Sequence, residues 1–144
     1  MTHLLDTSAL CAHFLAQPGA DEVDRLLGER PDQIGVCVIT WFEARYVLKR
    51  CGVSDSDLTR ALSLYRSLPL RQCAITPEVV DQAVHLREAT SIRLPLADAL
   101  IAGCAAEHNA ILVHRDSHLS ALPARIVRGL RLPDTDWRGN RNAD

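Results

Sequence analysis

Lysine is nearly missing from this chain of 144 residues: Lys49 stands alone beside fifteen arginines. Net charge is −2, so no overall positive field draws in nucleic acid. Aromatic residues make up only 4%, which argues against base stacking on aromatic platforms as the main way of reading a nucleic acid. No two cysteines form a CxxC pair, and the five (Cys11, Cys37, Cys51, Cys73, Cys104) are odd in number. A disulfide scaffold and a zinc ribbon are both excluded; reduced thiols in a cytoplasmic protein fit instead. No basic segment precedes an apolar run at the N-terminus, where the first basic residue is Arg25, so no signal peptide is expected. The longest purely small or apolar run, residues 99–106, is far too short to cross a bilayer.

What is present is alternation. Short β-branched runs at 2–5, 34–40, 70–76 and 110–114, and a weaker one at 125–132, predict strands. Between them the pattern predicts helices over 8–15, 19–28, 41–50, 54–68, 77–90 and 95–108. Ser54 is the expected N-cap of its helix, Pro77 suits a first turn, and Asn109 suits a left-handed stop. Strands alternating with helices imply an α/β fold, a mostly parallel sheet flanked by helices. One domain over 1–133 is expected, followed by a polar tail, 134–144, that carries Trp137.

Four acids stand at the junctions. Asp6 follows the first strand, where an N-cap is its ordinary use. Glu43 closes Thr40-Trp41-Phe42-Glu43, which reads as a capping box. Asp98 opens "DALIAGCAA", a helix apolar nearly all round and therefore buried; a carboxylate there needs a partner. Asp116 follows the fourth strand in "VHRDSHL", where Asp-Ser is common turn chemistry. Each has a local explanation, but parallel strands end on one edge, and that edge gathers acids distant in sequence. Clustered carboxylates take up protons or bind cations. Oxygen-only donors suit Mg²⁺ or Mn²⁺ rather than zinc, and such an ion beside an open cleft points to phosphodiester chemistry.

With "LLDTSAL", Glu43 in "ITWFEARYVL", Asp98 in "LPLADALIAGCA" and Asp116 in "ILVHRDSHL" in this order, the chain resembles the PIN-domain family, and within it the VapC-type toxins of toxin–antitoxin pairs. The resemblance spans about residues 3–132. It implies a five-stranded parallel sheet ordered 3-2-1-4-5 and a Mg²⁺- or Mn²⁺-dependent endoribonuclease leaving 5′-phosphate and 3′-hydroxyl ends. By position, Asp6, Glu43, Asp98 and Asp116 become the acidic metal set, supported by a hydroxyl from Ser8 or Thr7. It also implies a homodimer, with Trp41, Phe42, Tyr46 and Tyr65 as interface candidates, and a VapB-like antitoxin that masks the site. At the fourth motif the family often shows T-x-D-x-D-F; here His114 replaces the threonine and His118 the second acid. An imidazole at 118 is a candidate Mn²⁺ ligand or phosphate contact.

Setting the four acids aside leaves fourteen acids against sixteen basic residues. Arg115, Arg125, Arg128 and Arg131 face Asp116 alone within 115–131, a basic segment suited to an RNA backbone, with Arg115 as the nearest contact. Two other functions compete. A PIN-like module that holds RNA or a partner without cutting is permitted by His118. A haloacid-dehalogenase-like phosphatase requires a second Asp two residues after the first, where this chain has Ser8.

Overall fold

A computed structural model describes residues 1–134; Trp137 and the rest of the tail lie outside the described residues. The chain runs β1 (His3–Leu5), α1 (Thr7–Phe14), α2 (Ala20–Glu29), β2 (Ile34–Cys37), α3 (Val38–Arg50), α4 (Asp55–Ser67) and β3 (Arg71–Cys73). It continues through α5 (Pro77–Ala89), α6 (Leu96–Glu107), β4 (Ile111–His114), α7 (Ser117–Ser120) and β5 (Gly129–Arg131). The five strands form one sheet in the order β3-β2-β1-β4-β5, every neighbouring pair parallel. Strand order reverses at β1, which pairs β2 on one side and β4 on the other.

Period-two alternation sends successive strand residues to opposite faces. Leu4, Cys37 and Leu112 pack beneath α5 and α6, while Leu5, Val36 and Val113 pack against Ala9 of α1 and Val23 and Leu26 of α2. Both faces are thus covered, as an all-parallel sheet requires. A third apolar cluster joins α1, α3 and α4 through Leu10, Ala44, Leu48, Leu58 and Tyr65. Helix α6 is buried along Ala99, Ile101, Ala102, Gly103, Cys104 and Ala105. Gly103 lets α5 approach closely, since a Cβ there would sit 2.6 Å from the Val79 carbonyl oxygen.

The expected cap at Ser54 is present, its Oγ accepting from the Asp57 amide at 3.2 Å; Pro77 stands in the first turn of α5, which Thr76 caps by accepting from the Val79 amide. Asn109 takes φ 49°, the left-handed turn after α6. The second strand is shorter than its β-branched run predicts. It stops at Cys37, and Val38, Ile39 and Thr40 form the first turn of α3. The Thr40–Glu43 capping box therefore does not exist. Thr40 lies inside the helix, buried, with its hydroxyl unpartnered. Strands three and five likewise contract to three residues each.

Candidate active site

The rim formed by the carboxyl ends of the strands is built around Asp6. Its amide donates to the Val113 carbonyl at 3.0 Å, prolonging the β1–β4 ladder by one residue. Its side chain then turns to cap α1, accepting from the Ala9 amide at 2.8 Å. The cap and the rim carboxylate are the same group, so the two readings of Asp6 do not compete. Ser8 Oγ lies 2.7 and 2.9 Å from the two carboxylate oxygens as donor. The same hydroxyl accepts from the Arg115 amide at 2.8 Å. One hydroxyl thereby fastens the exit of β1 to the exit of β4.

Glu43 reaches the rim from the second turn of α3, where Thr7 Oγ1 donates to its Oε1 at 2.6 Å. Asp116 caps the short α7, accepting from the His118 amide at 2.8 Å. Asp98 sits in the first turn of α6. Asp6 is 4% exposed, and burial, more than any neighbour, pushes its carboxyl up to about 7. The Ala9 and Ser8 hydrogen bonds oppose that rise, and the charges of Asp98 and Asp116 add to it. Asp98 is pushed up to about 6, by burial first and then by Asp116 and Glu43. The four acids therefore share one electrostatic environment. Among the described residues, no arginine or lysine forms an ion pair with Asp6, Glu43 or Asp98. Nor do three His, Cys, Asp or Glu side chains there stand close enough to cage an ion as arranged. The donors are all oxygens, the kind that suits a hard cation.

The remaining candidates fall less simply. His118 is largely exposed, with Nδ1 2.9 Å from Asp116 Oδ1. His114 is fully buried and its Nδ1 has no partner. The Arg115 guanidinium donates to Gln17 Oε1 at 2.6 Å, while its backbone amide serves the rim through Ser8. Arg128 is displaced further. It precedes β5 and acts electrostatically on His3 at the start of β1, the sheet edge opposite the acids. Arg131 pairs with Asp134 at 3.1 Å. The basic segment of the sequence is thus divided between two edges. Arg50 lines a shallow depression of about 330 Å³ with Phe42, Glu43, Tyr46 and Val47. Among the interface candidates, Tyr65 is core, hydrogen-bonded to His13 Nδ1 at 2.6 Å, and Trp41 donates to Gln72. Phe42 and Tyr46 are 66% and 51% exposed.

Residues 3–124 match the PIN domain. The chain belongs to the PIN-domain family. No curated protein sequence matches it at a significant level, but solved structures share its fold. VapBC2 from Rickettsia felis, bound to a DNA fragment from its promoter, superposes with a TM-score of 0.71 at 20% identity, covering 92% of this chain and 100% of that one. A toxin–antitoxin complex from Klebsiella pneumoniae gives 0.62 at 25% identity, covering 81% and 88%. VapC20 from Mycobacterium tuberculosis, a sarcin-ricin loop cleaving toxin, gives 0.67 at 19%, covering 90% and 99%. Within this PIN domain the fourth acidic motif carries His114 and His118 where Thr and Asp are frequent, and the structure turns His118 onto Asp116. No described helix is long and apolar enough to cross a membrane.

Proposed function

We propose that this PIN domain is a Mg²⁺- or Mn²⁺-dependent endoribonuclease, the toxin of a VapBC-type pair acting in the cytoplasm. The observation that carries the reading is Asp6: a carboxylate held at the strand-order switch, buried, crowded by Asp98 and Asp116, and with no ion-paired arginine or lysine among the described residues. Asp6, Asp98 and Asp116 would hold the ion, with Glu43 completing the acidic set. When bound, the ion supplies Lewis-acid activation of a water and of the phosphodiester. The chain's own residues do the positioning. Ser8 fixes both oxygens of Asp6 and sets its spacing from the β4 exit. Thr7 fixes Glu43, whose second oxygen remains available to orient a water or accept its proton. Arg50, which lines the same depression as Glu43, would offer a positive charge to a substrate phosphate.

The toxin assignment rests on family membership and on the toxin–antitoxin structures that share the fold. A second site supports an antitoxin partner. An apolar groove of about 720 Å³ runs between α1 and α4, lined by Phe14, Val53, Ala61, Leu64, Tyr65 and Leu68, and suits the apolar face of an antitoxin helix. The exposed row Val38, Phe42 and Tyr46 on one face of α3 supports a homodimer. Free thiols at all five cysteines accord with a reducing compartment.

The test is cleavage of single-stranded RNA with Mg²⁺, with Mn²⁺ and with EDTA, beside an Asp98→Asn variant. Cleavage confined to the metal-loaded wild type is the expected result. Cleavage that survives EDTA or the substitution overturns the proposal. RNA retained without cleavage identifies a binding module instead.

A further inference from the structure

Asp6 and Glu43 are each held by a hydroxyl, from Ser8 and Thr7. Asp116 is held by a residue of its own turn. The His118 amide donates to Asp116 Oδ1 at 2.8 Å, and His118 Nδ1 lies 2.9 Å from the same oxygen. An ionised carboxylate only accepts, so Nδ1 is the donor and carries the proton. Both contacts fall on Oδ1, and among the described residues nothing donates to Oδ2. Two donors on one oxygen also restrain the last side-chain torsion of Asp116, which is otherwise broad. The charge of Asp116 acts on both Asp6 and Asp98, so its carboxylate belongs to the rim. The imidazole itself is exposed, and its Nε2 has no hydrogen-bond partner among the described residues.

We propose that His118 is a positioning residue for the metal site: its Nδ1–H holds Oδ1 of Asp116 so that Oδ2 is the oxygen presented to a divalent cation. This role presupposes a rim that binds such a cation, and it makes His118 neither a ligand nor a phosphate contact. An aspartate at 118, frequent in the family, adds a negative charge but cannot donate, and it repels Asp116. The imidazole removes that charge and supplies a restraint in its place. A donor placed behind a ligating carboxylate is the kind of contact that fixes a metal ligand's orientation. Neutral and protonated rings both have a proton for Nδ1 to use, so the restraint does not turn on the charge of the ring. With Nδ1 on Asp116, the rigid ring turns Nε2 away from that carboxylate. The ring therefore acts on Asp116 rather than beside it.

The test compares His118→Asn, His118→Gln and His118→Ala in the full chain. Asparagine places an amide N–H close to where Nδ1 stands, glutamine reaches toward the place of Nε2, and alanine does neither. Residue 118 is exposed, so the variants should fold, and urea denaturation checks that they do. Mn²⁺ binding is followed by the electron paramagnetic resonance of the free ion, with no RNA present. His118→Ala and His118→Gln should weaken binding about 10–100-fold, and His118→Asn should restore most of it. In the metal-free protein at about pH 8, nitrogen-15 spectra should find a proton on Nδ1 of His118. A ring protonated on Nε2 alone overturns the proposal. So does His118→Asn binding no better than His118→Ala, which would make Nε2 a ligand. Three variants that all bind as wild type overturn it as well, while the cation-binding rim stands. A wild type that binds no Mn²⁺ overturns the metal-dependent function itself, and the role of His118 with it.

Discussion

Replacing Asp6 by Asn should make the metal-free protein more stable at alkaline pH, and the structure gives the size of the effect. The buried carboxyl holds its proton up to about pH 7, against an ordinary 3.8. Below pH 3.8 the folded and unfolded chains both keep the proton, and Asp6 imposes no cost. Between 3.8 and about 7 the unfolded chain releases it first, so stability falls as pH rises. Above about 7 both forms are ionised and the cost stays constant. At about 1.4 kcal/mol per decade, the full cost is roughly 4 kcal/mol, a large share of the 5–15 kcal/mol typical of a folded domain. Asparagine keeps an oxygen for the Ala9 amide and carries no charge to desolvate. The stability of Asp6→Asn minus that of the wild type should therefore grow by about 3–4 kcal/mol between pH 4 and pH 8. Urea denaturation of both proteins in EDTA at the two pH values measures it. Taking the difference cancels the titrating groups remote from Asp6, and the coupled Asp98 and Asp116 add only to the same upward trend. A difference that stays flat with pH refutes the picture of a desolvated, uncompensated carboxylate. Mg²⁺ added at pH 8 should then close most of the gap by stabilising the wild type alone.

Thr7→Val removes the donor that fixes Glu43 and should lower Mg²⁺-dependent RNA cleavage about 10–100-fold, while Thr7→Ser restores it; equal rates for the two variants would count against the latch. Gly103→Ala drives a methyl into the Val79 carbonyl and should cost about 1–3 kcal/mol by urea denaturation; a neutral result would mean that α5 and α6 separate freely. His114→Leu concerns a buried imidazole that burial holds below its ordinary 6.5. The folded protein keeps it neutral while the unfolded chain protonates it, so wild-type stability falls as pH drops below about 6.5. The leucine variant should lose that dependence and, with no orphaned Nδ1, gain about 1 kcal/mol at neutral pH; unfolding curves at pH 5.5 and 7.5 read both.

The strand order came from the resemblance to the PIN-domain family, but the parallel sheet and the gathering of Asp6, Glu43, Asp98 and Asp116 near one rim were legible because they follow from two things the residues display. One is alternation of strand and helix; the other is acids placed just after strands. What escaped detection depended on three-dimensional proximity or direction. Val38-Ile39-Thr40 has β-branched composition, yet Cys37 already caps a helix, and propensity yields to tertiary context there. The Thr7–Glu43 hydrogen bond joins residues 36 apart in sequence, and no local pattern signals it. Arg115, Arg125, Arg128 and Arg131 look like one basic patch because they are close in sequence. A strand's two ends lie on opposite edges of a sheet, so the residue before β5 and the residue that ends it cannot serve the same rim. Arg50 beside Glu43 was hidden for the converse reason: seven residues along a helix is two turns, which returns it to the same face.

Helix α3 starts at the residue after β2 ends, with no loop between them. That seamless joint makes Glu43 a fixed projection of the sheet rather than a passenger on an adjustable connection. One residue inserted between Cys37 and Val38 would turn everything beyond it by about 100° and advance it by about 1.5 Å. Glu43 would leave the rim, and the buried face of α3 would leave the core with it. Change in this chain can accumulate in its longer turns, but the length of the β2–α3 joint is set to the single residue.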